Sequence, residues 1–159
     1  MNHIAFYKDQ TILASYSDQK EAEILDFKTR KLEITLEGHN DYGFCLDWHP
    51  NGTYLVTGNQ DTTARVWDLR NPKQSVHVLQ GEIGAIYTVK YSHDGSYLAL
   101  GEAIEFVSIF NPEDSKKLFI GVNIKDFDGI FEFQQRNKEK SIFQLKTRSH
   151  DDSYLILMG

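Results

Sequence analysis

The stretch GHNDYGFCLDWHPNGTYLVTGNQDTTARVWD, Gly38 to Asp68, decides the fold, because the chain repeats it. Set above GEIGAIYTVKYSHDGSYLALGEAIEFVSIFN, Gly81 to Asn111, it aligns without a gap. Gly38 meets Gly81, Trp48 meets Tyr91, Gly52 meets Gly95, Gly58 meets Gly101, and Trp67-Asp68 meets Phe110-Asn111. Each pair is 43 residues apart. A fixed period of roughly 20–50 residues marks a repeat architecture, in which each unit buries its apolar face only against its neighbours.

Each unit reads as strands. GFCLDW and IYTVKY are short runs with aromatic and β-branched residues, followed by the turn dipeptides Asn51-Gly52 and Asp94-Gly95. TYLVTG and SYLALG come next, then a polar turn, then TARVWD and EFVSIF. Pro50, Pro72 and Pro112 all fall between runs, where a missing N–H costs no ladder bond. A weaker copy, YKDQTILASYSDQKEAEILD, places Asp26 42 residues before Asp68. Downstream, FNPEDSKKLFIG looks like another copy of WHPNGTYLVTG. Yet Gly121 follows Gly101 by only 20 residues, so 23 residues of a unit are expected to be missing. The expected order is a weak unit over 4–36, a clear one over 38–79, a degenerate one over 81–110, a shortened one over 111–133 and an irregular tail over 134–159.

Composition limits the function. The 159 residues, 40% hydrophobic and 13% aromatic, suffice for one packed domain. A formal charge of −6 disfavours nucleic acid as a partner, since phosphate-binding domains are usually basic. The basic segment Arg136–Arg148 is read as a solvated face. Cys45 is the single cysteine, so no internal disulfide forms and a reducing compartment fits. The N-terminal residues lack the pattern of a secretory signal, and no run approaches the roughly 18 apolar residues of a membrane span. A soluble cytoplasmic or nuclear protein without membrane contact is expected.

A unit of about 43 residues, all strand, with Gly-His and Trp-Asp landmarks, resembles the WD-repeat (WD40) family, whose units are four-stranded antiparallel blades of a β-propeller. The resemblance runs from Ile4 to Phe133 and is fullest over Gly38–Asp68. The wording of Gly38–Pro72 is also similar to a group of uncharacterised fungal members. The implied fold is all-β and antiparallel. Because a ring takes roughly 4–8 blades, the implied architecture is an incomplete, open propeller, as a truncated or spliced product of a longer gene would be.

The family resemblance also assigns a set of side chains. WD-repeat blades are often braced by a His, a Ser or Thr, an Asp and a Trp, and His39, Thr57, Asp61 and Trp67 occupy the matching places. The physical need is satisfaction: a buried indole N–H requires an acceptor, a hydroxyl can take it while donating to an imidazole, and a carboxylate can take the imidazole's other proton. The rival reading makes Thr57 a nucleophile, His39 its base and Asp61 the orienter of a hydrolase. Against it, Thr57 lies within a strand rather than on an exposed elbow. In the next unit Glu82, Leu100, Ile104 and Phe110 replace all four members together, as expected of a network that acts as one.

The same resemblance points to the loops after Gly-His and before the third strand as a contact face for proteins. Here these are Asn40, Asp41, Tyr42, Asn59 and Gln60, with Tyr42 the best anchor because interface cores favour aromatics. The segment Leu55–Arg70, LVTGNQDTTARVWDLR, is similar to the box through which WD-repeat receptors dock on the damaged-DNA-binding adaptor of cullin–RING ubiquitin ligases, with Asp68 and Arg70 as the charged contacts. His49, His77, His93 and His150 show no metal spacing with Cys45 or a carboxylate, and GNQD and GEIGAI lack the spacing of phosphate loops. No metal, cofactor or catalytic activity is expected. The expected function is an interaction scaffold, in one form a ubiquitin-ligase receptor; a fragment without an independent role is the alternative.

Overall fold

The computed structural model describes the backbone of residues 2–7, 10–103, 106–115, 117–120, 130–137, 140–146 and 153–157, and side chains as far as residue 115. Among the described residues it is strand and turn without helix. The first sheet joins β1 (His3–Phe6), β2 (Ile12–Tyr16), β3 (Ala22–Asp26) and β4 (Lys31–Leu36) in chain order. The second joins β5 (Gly43–Trp48), β6 (Tyr54–Asn59), β7 (Thr63–Asp68) and β8 (His77–Gln80). The third joins β9 (Ile86–Tyr91), β10 (Leu98–Glu102), β11 (Val107–Phe110) and β12 (Lys117–Ile120). All pairings are antiparallel. These meandering four-stranded sheets are propeller blades, and the propeller is open.

Two expectations about the C-terminal half need correction. FNPEDSKKLFIG is not a further copy of WHPNGTYLVTG. Its last residues form β12, which pairs with β11 through Ser108↔Ile120 and Ile109↔Phe119 and so takes the outer place that β8 takes in the second sheet. Asn111-Pro112 therefore opens the connection to an outer strand, as Asn71-Pro72 does, and shared turn chemistry made the two kinds of turn look alike. The shortened unit over 111–133 is accordingly divided between sheets, and residues 121–129 lie outside the described residues. The irregular tail over 134–159 instead contains strand. β13 (Ile130–Asn137), β14 (Lys140–Lys146) and β15 (Ser153–Leu157) make a three-stranded antiparallel sheet. SIFQLK and SYLIL are strand-like runs, but no Gly or Trp-Asp landmark marks them as part of the repeat. The side chains of the basic segment 136–148 lie outside those described.

The second sheet is apolar on both faces because it is covered on both. Leu46, Leu55 and Trp67 face the first sheet and pack with Ala14, Tyr16, Ile24 and Leu36. Cys45, Val56, Val66 and Leu79 face the third and pack with Ile86, Val89, Leu98 and Leu100. Alternation of side chains along a strand sends Leu55 and Val56 to opposite cores. The ties between sheets recur at one repeat length. The Leu46 amide donates to Nδ1 of His3 at 2.9 Å, and Trp48 Nε1 donates to the Ala5 carbonyl at 3.0 Å. One sheet on, the Tyr91 amide and Lys90 Nζ each donate to Asp47 at 2.8 Å. Gly52 and Gly95 hold φ of +74° and +80° in equivalent turns; a Cβ at Gly95 would run into the His49 ring.

On the far side of the first sheet, pairing aligns Phe6 with Leu13, Leu13 with Leu25 and Leu25 with Leu32, an apolar row across all four strands. Phe6 and Leu32 there are 42% and 52% exposed.

Candidate functional site

The structure brings His39, Thr57, Asp61 and Trp67 together. Thr57 sits within β6 and Trp67 on β7, on the face turned to the first sheet. Trp67 Nε1 donates to Thr57 Oγ1 at 2.8 Å. Thr57 Oγ1 lies 2.8 Å from His39 Nε2, and His39 Nδ1 lies 2.9 Å from Asp61 Oδ2. One assignment of protons satisfies every contact: the hydroxyl accepts from the indole and donates to Nε2, and Nδ1–H donates to the carboxylate. Asp61 further accepts from the Asn40 amide at 3.0 Å, the Thr63 amide at 3.0 Å and the Thr63 hydroxyl at 2.6 Å. Burial penalises its ionised form, but the hydrogen bonds from His39, Thr63 and Asn40 outweigh that and hold its carboxyl well below the usual range.

This geometry opposes nucleophilic chemistry. Thr57 has no exposed surface and Trp67 has none, while His39 is 5% exposed. A substrate has no approach to that hydroxyl, whose lone pair is already occupied by the indole. The four residues brace the loop Gly38–Tyr42 against the sheet.

Of the expected contact residues, Asn40, Tyr42 and Gln60 are exposed and Asp41 is half-buried. Asn59 is a correction. It is fully buried. Its amide nitrogen donates to the Tyr16 hydroxyl and the Asp41 carbonyl, each at 2.7 Å, and its side-chain oxygen accepts from the Asp61 amide at 2.8 Å. A polar residue beside a turn looks solvated in sequence, but this one is consumed by fastening that turn to two neighbours. Tyr42 is anchored from below, where its carbonyl accepts from the Gln60 amide at 2.9 Å, and its ring is 54% exposed.

Sequence reasoning missed three residues near this rim. Pairing in the second sheet skips from Gly43↔Asn59 to Cys45↔Gly58, which leaves Phe44 in a bulge. The third sheet skips in the same way, from Gly101↔Thr88 to Glu102↔Ile86, and leaves Tyr87 in a bulge. The two rings meet with centroids 4.4 Å apart, and Tyr87 is 51% exposed. Bulges re-aim side chains, and the equal spacing of Phe44 and Tyr87 within their units was the available signal. The third residue is Glu102, at the place of Asn59 one unit on. It is 4% exposed and accepts from the amides of Glu82, Ile83 and Gly84 at 2.8, 2.7 and 3.1 Å. Where the third blade lacks the four-residue brace, this carboxylate holds the loop.

Asp68 and Arg70 lie at the opposite end of β7. Arg70 Nε and Nη2 donate to the two carboxylate oxygens of Asp68 at 2.9 and 2.6 Å, and Nη2 also reaches the Tyr54 hydroxyl at 3.3 Å. The Arg70 side chain is 70% exposed and that of Asp68 16%. The guanidinium hydrogen bonds hold the Asp68 carboxyl below its ordinary value. Among the described residues no three His, Cys, Asp or Glu side chains group as metal ligands.

Repeated four-stranded sheets, the 43-residue period and the braced Gly-His loop define a WD-repeat protein, and the chain belongs to that family. Residues 30–68 match the family model described as WD domain, G-beta repeat. WD repeat and SOCS box-containing protein 1 of Homo sapiens is 33% identical over 107 residues, which cover 67% of this chain and 25% of that protein. Its counterpart in Danio rerio is 36% identical over 94 residues, covering 58% and 22%. Protein groucho of Drosophila melanogaster is 28% identical over 115 residues, covering 72% and 15%. The chain thus spans a quarter or less of the length of these relatives, and none of the three names denotes an enzyme.

Proposed function

We propose that the chain is a non-enzymatic scaffold that binds other proteins through the rim bearing Tyr42. The observation that carries this reading is a half-exposed tyrosine on a rigid base. The loop beneath Tyr42 is held by His39, Asp61 and Asn59, so the ring is presented with little conformational freedom left to lose on binding. Asn40 and Gln60 flank it with polar groups. Ile83 and Tyr87 on the next unit, 54% and 51% exposed, extend the apolar part of the surface, and aromatic anchors within a polar rim are the usual composition of an interface. A reducing cytoplasmic or nuclear setting suits the buried Cys45, whose thiol burial pushes well above its ordinary value.

The finer form of the proposal is a ubiquitin-ligase receptor that docks through Asp68 and Arg70. The similarity of Leu55–Arg70 to the adaptor-binding box supports it, together with relatives whose names join WD repeats to a SOCS box. Because Arg70 already grips Asp68, docking there would exchange one charged partner for another.

A photo-reactive amino acid in place of Tyr42 tests the general form. It should crosslink a protein that the same probe at the outer-strand position Val78 does not, and Tyr42→Ala should lose that partner with an unchanged thermal transition. Equal crosslinking from both positions would refute the assignment of the rim. Arg70→Ala should abolish co-precipitation of the adaptor. Failure of the wild-type chain to capture the adaptor, beside a receptor that does, would remove the ligase form alone.

A further inference from the structure

The second and third sheets part at the end opposite Tyr42, leaving a cavity of about 370 Å³. Its walls include Tyr54, His49 and His77 from the second sheet and Tyr91 and Glu113 from the third. The His49 ring stands edge-on to both tyrosines, with centroids 5.9 Å from Tyr54 and 4.9 Å from Tyr91, so one wall is aromatic. Tyr91 is the anomaly. It is 4% exposed, and its hydroxyl has no hydrogen-bond partner among the described residues. A buried phenol ordinarily finds one. Burial pushes its ionisation well above the ordinary value, so it stays protonated and can both donate and accept.

We propose that this cavity binds a peptide segment of a partner protein carrying a basic side chain, with the Tyr91 hydroxyl donating to a peptide carbonyl and Glu113 at the rim taking the cation. Among the described lining residues Glu113 is the sole carboxylate and there is no lysine or arginine; Arg70, which reaches the Tyr54 hydroxyl, has its charge taken by Asp68. The aromatic wall suits an aliphatic stem ending in a cation. The volume lies near the lower end of ligand pockets, about 300–1,000 Å³, enough for one long side chain and its peptide group. A net charge of −6 favours the encounter with a basic segment. The site is separate from the Tyr42 rim, and neither depends on the other.

The test is an NMR titration of the full chain, with tyrosine and histidine rings labelled, using acetyl-Gly-Lys-Gly-amide and acetyl-Gly-Glu-Gly-amide. The lysine peptide should shift the Tyr91, Tyr54 and His77 rings saturably, and the glutamate peptide should not. Tyr91→Phe removes only an unpartnered oxygen, so it should keep or raise the melting temperature while weakening the lysine peptide about tenfold, the loss of roughly one hydrogen bond. Glu113→Gln should weaken it by a similar factor. Absence of a saturable shift with the lysine peptide, equal response to the glutamate peptide, or unchanged affinity in Tyr91→Phe would each overturn the proposal.

Discussion

Replacing Thr57 by valine keeps the shape of the side chain and deletes the oxygen on which the brace turns. Two buried groups then lose their partner at once: the Trp67 indole N–H and His39 Nε2, each 2.8 Å from that oxygen. Neither can turn to water, because Trp67 is fully buried and His39 is 5% exposed. Switching the imidazole tautomer does not help, since Nδ1–H is needed by Asp61. A stranded buried polar group costs about 1–3 kcal/mol. Two of them, less the small gain of a buried methyl, give an expected loss of about 2–5 kcal/mol in urea unfolding followed by tryptophan fluorescence. Trp67→Phe alone should cost about 1–3 kcal/mol through lost volume and a lost donor. The double variant should cost less than the sum, with a coupling of about 1–3 kcal/mol, because valine and phenylalanine no longer strand each other. The third blade already embodies this outcome: Leu100 and Phe110 stand at the two places, buried and apolar together. Strict additivity of the two losses would show that the hydroxyl and indole do not depend on one another, and the reading of the brace as a unit would fail.

Glu102→Gln should destabilise the third blade by about 1–3 kcal/mol, since a neutral amide replaces the carboxylate that accepts from three backbone N–H groups; hydrogen exchange at Glu82, Ile83 and Gly84 should accelerate most. Gly95→Ala should lower stability by at least about 1 kcal/mol in the same urea assay, because φ is +80° there and the new Cβ meets His49. Acidification should loosen the junction between the first two sheets. Burial of His3 outweighs the nearby Asp47 and holds its imidazole below the ordinary value of 6.5, so the unfolded chain takes up the proton first. The stabilising contact with the Leu46 amide is then complete above about pH 6.5 and is lost as the pH falls from there through the folded value. Melting temperatures between pH 7.5 and 5 should decline less steeply in His3→Gln than in the wild type.

The repeat was legible because its landmarks are imposed by geometry. The positive φ at Gly52 and Gly95 and the paired runs between them leave a periodic trace that needs no knowledge of contacts. The brace was legible through the family resemblance, which assigns its places to His39, Thr57, Asp61 and Trp67; the need of a buried indole for an acceptor supplied the physical reason. Asn59 was not, because its burial depends on Tyr16, 43 residues away. Glu102 was not, because a carboxylate after a strand looks solvated until three amides are seen to converge on it. The bulges at Phe44 and Tyr87 depend on strand register, which alternation alone does not reveal. The end of the third blade was misread because one residue separates a proline from the aromatic strand end in two different turns, at His49-Pro50 and at Asn111-Pro112.

The ties linking His3 to Leu46, Ala5 to Trp48 and Asp47 to Lys90 each span one repeat. Order in this molecule is therefore passed along a row rather than gathered at a centre. Each new sheet closes a loop of the same length, so the entropic toll of adding it does not rise as the row grows. The middle sheet, held from both sides, is the natural place for assembly to begin and the last to come apart. A row organised in this way tolerates wear at its ends. Damage to the third sheet uncovers one face of its neighbour, but the brace beneath Tyr42 lies on the face turned to the first sheet, draws its four side chains from a stretch of fewer than 30 residues, His39 to Trp67, and survives with the middle of the row.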